Sequence, residues 1–113
     1  MNQFDFSKVV TTGVAGMIGA YVDFGTRPTR EELNVLDADA VMGFVKARQP
    51  SAIIHLAAAT DTARCESDPS YAYALNGVGT LNVALAAQAV GAVMVYVSTS
   101  RVFRGDKQWP YTE

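Results

Sequence analysis

Three short apolar runs, spaced about 40 residues apart, limit what this chain can fold into. They cover residues 8–12, 52–56 and 93–97 and are rich in β-branched side chains, which is typical of buried strands. Between them, apolar residues recur at helical spacing across residues 38–48 and 69–90, with Asp37 placed as an N-cap and Gly91 as a C-cap. Strands apolar on both faces and separated by helices predict a three-layer α/β fold, with a doubly wound parallel sheet covered by helices on both faces.

The first crossover of this sheet has little room. A connection between parallel strands needs a dozen or more residues and usually a substantial helix. Only residues 16–24 are free for helix, about two turns, and Pro28 makes residues 26–32 irregular or briefly extended. The sequence therefore predicts an unusually short first crossover helix and leaves the position of the second strand open. Residues 61–68 are polar and are predicted to form a loop.

Composition narrows the class of protein. Half of the 113 residues are apolar and 18% are charged, so the composition predicts one folded domain spanning residues 1–113. The net charge of −2 supplies no basic field for nucleic acid or an anionic membrane, and no apolar run approaches the ~20 residues of a membrane span. Cys65 is the only cysteine, which excludes an internal disulfide and favours a reducing compartment. These features predict a cytoplasmic protein without nucleic-acid or membrane partners.

Glycines recur every third residue directly after the first predicted strand, in Thr12-Gly13-Val14-Ala15-Gly16-Met17-Ile18-Gly19. In a strand–helix loop, Gly13 allows a tight turn, Gly16 lets the backbone approach a pyrophosphate, and Gly19 lets the helix pack closely on the strand. The helix N-terminus then offers N–H groups and partial positive charge to the phosphates. The pattern predicts a dinucleotide site, and its G-x-x-G-x-x-G spacing is similar to that of short-chain dehydrogenases. Met17 is expected to pack beneath this loop.

The cofactor preference stays open between NAD and NADP. An acidic residue after the second strand typically binds the ribose hydroxyls of NAD, whereas an arginine there meets the 2′-phosphate of NADP. By spacing, the acidic candidates are Asp23, Glu31 and Glu32, and the basic ones are Arg27 and Arg30. Each of them taken singly is more simply explained as solvated surface.

His55 is the only histidine and stands inside the second predicted strand. No second ligand accompanies it, so no metal site is predicted. We expect a hydrogen-bonded core residue rather than a catalytic base.

Six further motifs occur in order along the chain and carry a family resemblance. They are Thr29-Arg30-Glu31-Glu32-Leu33-Asn34-Val35-Leu36-Asp37, Ile54-His55-Leu56-Ala57-Ala58-Ala59-Thr60, Asn76-Gly77-Val78-Gly79-Thr80-Leu81-Asn82, Val97-Ser98-Thr99, Val102-Phe103 and Gly105-Asp106-Lys107 with Pro110-Tyr111-Thr112-Glu113. Together they resemble the N-terminal part of the dTDP-4-dehydrorhamnose reductase family, within the extended short-chain dehydrogenase/reductase superfamily. The resemblance runs from Val9 to the last residue.

That resemblance implies an NAD(P)-binding Rossmann domain followed, in the family, by a smaller part that binds the nucleotide sugar. Asn34 and Val35 match the pair beside the adenine, Asn76 matches an asparagine that supports the active-site region, and Thr99 matches the catalytic Ser/Thr that hydrogen-bonds the keto oxygen. The residues implied to contact the dinucleotide are Gly13, Gly16, Met17, Ile18, Gly19, Asn34, Val35, Ala57, Ala58, Ala59 and Ser98. The implied activity is reduction of a nucleotide-linked 4-keto-6-deoxy sugar by NAD(P)H.

Two departures from the family pattern bear on activity. Its usual Ser-Thr-Asp-Tyr-Val-Phe is replaced at residues 98–103 by Ser-Thr-Ser-Arg-Val-Phe, which leaves the sugar undetermined. The family's Tyr-x-x-x-Lys pair occurs nowhere in the 113 residues. We therefore expect the N-terminal fragment of a longer reductase, inactive alone, with a non-catalytic NAD(P)-binding regulatory module as the alternative. An uncovered edge at the third predicted strand leads us to expect self-association.

Overall fold

The computed structural model describes residues 3–99, 105–106, 110 and 112. Three parallel strands form one sheet in the order β1-β2-β3. The strands are β1 (Val9–Thr12), β2 (Ala52–His55) and β3 (Val93–Tyr96), and the α-helices are α1 (Ala38–Arg48), α2 (Thr62–Ser67), α3 (Pro69–Tyr73) and α4 (Gly79–Val90). The α/β class and the parallel Rossmann-like sheet predicted from the sequence are confirmed.

The first crossover is even shorter than expected. The only helical element described there is the 3₁₀ turn Gly19–Tyr21, so the prediction of two α-helical turns over residues 16–24 is wrong. Within the described residues, the second strand is reduced to a single parallel bridge between Val10 and Thr26. The chain thus passes to one side of β1 at Thr26 and returns on the other side as β2. This reversal is a topological switch point, where open α/β sheets bind their ligands.

The core lies between one sheet face and the packed pair α1 and α4. Val10 and Ile53 from the sheet meet Val41 of α1 and Val83 of α4, and all four are at most 2% exposed. Helix α1 has the predicted bounds because the Asp37 carboxylate accepts a hydrogen bond from the Ala40 amide at 3.0 Å.

Two helical predictions need correction. Residues 61–68 are not a loop: they contain α2, whose N-cap Asp61 accepts a hydrogen bond from the Arg64 amide. The Arg64 guanidinium lies 3.6 Å from the centre of the Tyr71 ring, so a cation–π contact rather than an apolar face ties α2 to α3. The single helix predicted over residues 69–90 is interrupted by the π-helical turn Ala74–Val78, and Gly91 ends α4 at φ +70° as predicted.

Strand β3 differs from β1 and β2 in its exposure. Val93 is 66% exposed, Val95 47% and Tyr96 55%, whereas β1 is buried throughout. The expected burial of all three strands on both faces therefore fails at β3. In the described part of the chain, no helix is long and apolar enough to cross a membrane.

Candidate functional site

A groove of about 280 Å³ opens where β1 and β2 end. Three backbone segments contribute most of its walls. They are the glycine loop after β1 (residues 13–19), residues 33–36, and the loop after β2 (residues 56–61). Its lining residues are Thr12, Gly13, Val14, Ala15, Gly16, Pro28, Arg30, Leu33, Asn34, Val35, Leu36, Leu56, Ala57, Ala58, Tyr71 and Leu75. The groove therefore brings together two of the three predicted glycines, Gly13 and Gly16, the Asn34–Val35 pair and two of the three predicted alanines. The other predicted cofactor residues are not part of its described lining: Met17, Ile18, Gly19, Ala59 and Ser98.

Gly13 is placed where the glycine loop touches the end of β2. Its φ is +74°, and a Cβ built on it would lie 2.5 Å from both the Ala57 nitrogen and the Leu56 carbonyl carbon. A side chain there would collide with backbone, so only glycine allows this close approach. The predicted tight turn is present, and it sets two walls of the groove against each other.

Gly16 is exposed, and a Cβ on it would meet nothing closer than the Gly13 carbonyl oxygen at 3.3 Å. The loop thus keeps open space on its outer side while its backbone is held by a hydrogen bond from the Gly16 amide to that same oxygen, at 3.1 Å. Met17 is 90% exposed and Ile18 58%. The expectation that Met17 packs beneath the loop is wrong, because the short 3₁₀ turn buries Gly19 instead.

The loop after β2 is held from two sides. The Leu56 and Ala57 amides both donate to the Thr12 hydroxyl, each at 3.2 Å. Beyond them, Asn76 pairs with the buried Ala59: its Oδ1 accepts from the Ala59 amide at 2.7 Å and its Nδ2 donates to the Ala59 carbonyl at 3.1 Å. Asn76 lies in the π-helical turn, and this bidentate contact fixes the loop after β2; that Asn76 supports an active-site region stays a prediction.

Residues 33–36 form the opposite wall. Leu33 and Val35 are buried in the core, which turns Asn34 outward, and the Asn34 Oδ1 accepts from the Leu36 amide at 3.0 Å. The Val35 carbonyl accepts a hydrogen bond from the buried Asn82 Nδ2 at 2.9 Å. The sequence reasoning missed Asn82, although an asparagine on the apolar face of a helix signals a buried group that needs a partner.

Among the five candidates for ribose recognition, Arg30 lines the groove. Arg27 instead donates from Nη2 to the Gly19 carbonyl at 3.2 Å, which braces the glycine loop. The Glu32 carboxylate accepts from the Thr29 amide, and the hydrogen bonds from Thr29 lower the pKa of Glu32. Of the described residues lining the groove, Arg30 is the one with a charged side chain.

The predicted catalytic Thr99 and the neighbouring Ser98 follow β3 at the same edge of the sheet, and both are exposed. Neither belongs to the described lining of the groove. Residues 100–104, where the sequence departs from the family pattern, lie outside the described residues. In the part of the chain that the structure describes, no group of three or more His, Cys, Asp or Glu side chains is placed to hold a metal ion.

Comparison with known proteins identifies the family. Residues 7–113 match the family described as the RmlD substrate binding domain. The chain belongs to this family. The curated relatives include a dTDP-4-dehydrorhamnose reductase from Streptomyces griseus, 34% identical over all of this chain and 40% of the relative. They also include methionine adenosyltransferase 2 subunit beta from Xenopus tropicalis, 36% identical over 94% of this chain and 36% of the relative.

Solved structures agree with this membership in the RmlD substrate binding domain family. A dTDP-4-dehydrorhamnose reductase from Bacillus anthracis, solved in complex with NADP, superposes with a TM-score of 0.84 at 34% identity, over 88% of this chain and 38% of that one. One from Clostridium acetobutylicum gives 0.85 at 31% identity, over 93% and 40%. The chain thus spans about two-fifths of the length of these relatives. The resemblance inferred from the sequence is confirmed.

Proposed function

We propose that residues 1–113 form the dinucleotide-binding domain of an NAD(P)H-dependent reductase. The observation that carries the proposal is the convergence of the glycine loop, Asn34–Val35 and Ala57–Ala58 on one groove at a topological switch point. Similarity to reductases, one of them solved with NADP, supports the same function. The volume of the groove, about 280 Å³, lies just below the range of about 300–1,000 Å³ for small-molecule sites. A groove of this size suits the adenosine and pyrophosphate half of a dinucleotide.

The dinucleotide fits the residues present. The open side of Gly16 leaves room for a pyrophosphate against the backbone, and the small side chains of Ala57 and Ala58 leave room for a ribose. Asn34, which is exposed and lines the groove, is assigned to the adenine edge by its match to the family motif. The remaining residues assigned to the cofactor are Gly13, Met17, Ile18, Gly19, Val35, Ala59 and Ser98.

Substitution of Gly16 tests the site. Gly16→Val places a branched side chain in the space reserved for the phosphates, so we expect NADP⁺ affinity to fall at least about a hundredfold, equivalent to about 2.8 kcal/mol. Isothermal titration calorimetry measures the change, and Gly43→Val is the matched control because a Cβ built on Gly43 meets no described atom within 4 Å beyond its neighbouring residues and the backbone of its own helix. Equal affinities of the wild type and Gly16→Val would refute this use of the loop.

Arg30 favours NADP over NAD. It is the one residue with a charged side chain among those that line the described groove, and a 2′-phosphate is the ligand that a cation selects there. Loss of a hydrogen bond to a charged group costs about 1.5–3 kcal/mol, so Arg30→Gln should weaken NADP⁺ binding about 10- to 100-fold and leave NAD⁺ binding unchanged. Lys46→Gln removes one positive charge on α1 and serves as the control. If Arg30→Gln weakens both dinucleotides equally, Arg30 does not select the phosphate.

The substrate of the complete reductase is a nucleotide-linked 4-keto-6-deoxy sugar, in keeping with the dTDP-4-dehydrorhamnose reductases among the relatives. A dinucleotide bound in the groove would supply the hydride for the keto carbon, and the Thr99 hydroxyl would donate a hydrogen bond to the keto oxygen. The proton for that oxygen would come from the family's Tyr-x-x-x-Lys pair, which does not occur in these 113 residues. The other candidate function is a non-catalytic NAD(P)-binding subunit. The 36% identity to methionine adenosyltransferase 2 subunit beta favours it. Turnover of NADPH with a dTDP-4-keto sugar by the full-length protein separates the two.

A further inference from the structure

The Thr12 hydroxyl joins the buried His55 ring to the wall of the groove. The hydroxyl oxygen accepts hydrogen bonds from the Leu56 and Ala57 amides, at 3.2 Å each, and lies 2.7 Å from His55 Nδ1. On the other side of the ring, His55 Nε2 lies 3.1 Å from the Thr80 hydroxyl of α4. His55 itself is 1% exposed, as predicted for a hydrogen-bonded core residue.

The number of donors and acceptors around the Thr12 hydroxyl determines which nitrogen of the His55 ring carries the proton. A hydroxyl has one proton to donate and two lone pairs to accept with. Both lone pairs of the Thr12 oxygen face amide donors, so its proton is directed to His55 Nδ1. Nδ1 is therefore unprotonated, and the proton of the neutral ring resides on Nε2, which donates to Thr80.

We propose that His55, as its Nε2–H tautomer, is a positioning residue for the dinucleotide groove. It orients the Thr12 hydroxyl so that the oxygen can hold the Leu56 and Ala57 amides, and these two residues form the wall beneath the ribose site. The proposal rests on the function proposed above. A protonated ring would carry a hydrogen on Nδ1 and could no longer accept from Thr12, so the hydroxyl would lose this orientation. The Leu56 amide would keep its hydrogen bond to the Thr12 carbonyl at 3.3 Å, whereas the Ala57 amide would lose the acceptor that the Thr12 hydroxyl provides.

Among the described residues around the ring, no charged group contributes to the pKa of His55. From β3, Tyr96 stacks on it with ring centres 6.0 Å apart; from β1 and α4 the facing polar groups are the Thr12 and Thr80 hydroxyls. Burial lowers the pKa of His55 below its usual 6.5. The neutral form is thus kept at neutral pH, and the groove should weaken only as the pH falls below that range.

The ring nitrogens give a direct spectroscopic test. Because the chain has a single histidine, ¹⁵N-labelled protein shows one imidazole. At pH 7.5 we expect a pyridine-type resonance for Nδ1 and a pyrrole-type resonance for Nε2. The opposite tautomer, or a ring exchanging between the two, would overturn the proposal without the need for any variant.

Two variants separate positioning from packing. In His55→Asn, the Oδ1 can occupy the place of Nδ1 and accept from Thr12, whereas His55→Leu offers no acceptor. At pH 7.5 we expect NADP⁺ affinity within about threefold of the wild type for His55→Asn and about tenfold weaker for His55→Leu, the loss of one hydrogen bond. Circular dichroism identifies variants that fail to fold.

The pH profile distinguishes the two roles further. The 2′-phosphate of free NADP⁺ titrates at about pH 6 whichever variant is measured, so the ratio of wild-type to His55→Asn affinity is the quantity to follow. As the pH is lowered through the interval in which the ¹⁵N resonances show the ring becoming protonated, this ratio should fall, because only the wild type has a ring to protonate. A constant ratio, or a His55→Leu variant that binds as tightly as the wild type, would overturn the positioning role. If the wild type itself binds no dinucleotide, the proposed function fails instead, and the inference fails with it.

Discussion

Thr11 and Thr12 are consecutive residues of β1 whose side-chain hydroxyls differ in their hydrogen bonding. Their side chains point to opposite faces of the sheet. The Thr12 hydroxyl makes three hydrogen bonds at the groove, while Thr11, fully buried, has a hydroxyl oxygen with no hydrogen-bond partner among the described residues. A buried polar group without a partner costs free energy that an apolar group of the same shape does not.

Thr11→Val should therefore stabilise the protein. Valine keeps the branched shape that suits a strand and removes the unpartnered hydroxyl, so we expect the free energy of unfolding to rise by about 1 kcal/mol. Urea denaturation measures it. Thr12→Val, the same substitution one residue on, is the control and should lower the free energy of unfolding. A destabilised Thr11→Val protein would show that the hydroxyl has a partner after all.

How far the site could be predicted depends on the kind of residue. Gly13 was predictable from its spacing in the glycine loop, whereas Asn34 and Ala57 were predicted from the family resemblance, and all three line the groove. The contact between Thr12 and His55 was not predictable, because the two residues are 43 positions apart and only the sheet register makes them neighbours. Asn82, which supports Val35 from 47 positions away, escaped for the same reason.

At the scale of elements, the apolar pattern predicted strands and long helices well and short helices poorly. Helix α1 and the three strands followed from periodicity and from the cap at Asp37. Helix α2 did not, because it has no buried residue and depends on the Asp61 cap and the Arg64–Tyr71 contact. The apolar residues around the π-helical turn Ala74–Val78 still fit a 3.6-residue period, so the sequence pattern does not reveal the turn. This turn nevertheless places Asn76 against Ala59.

At the scale of the whole molecule, β3 and the residue after it expose three valines to solvent and to other chains. Val93, Val95 and Val97 are 66%, 47% and 45% exposed. Within the described residues β3 pairs with β2 alone, so its other edge presents unpaired backbone groups beside an apolar face.

We predict that the 113-residue chain self-associates through β3. At about 50 µM, light scattering should give a mass above 12.1 kDa, and Val95→Lys should return the chain to a monomer because charge opposes edge-to-edge pairing. Lys46→Gln, on α1, should leave association unchanged. A monomeric wild type, or association that survives Val95→Lys, would contradict this.

The parallel register has a consequence for how the groove comes into being. The contacts that shape it join residues 43, 47 and 17 positions apart: Thr12 with His55, Val35 with Asn82, and Ala59 with Asn76. Each contact closes a loop, which lowers the conformational entropy of the chain before the contact itself contributes any stability. Such non-local pairings slow folding. An isolated α1 or α4 contains none of the groove. The ability to bind should therefore arise in a refolding chain together with the sheet, in the final cooperative step.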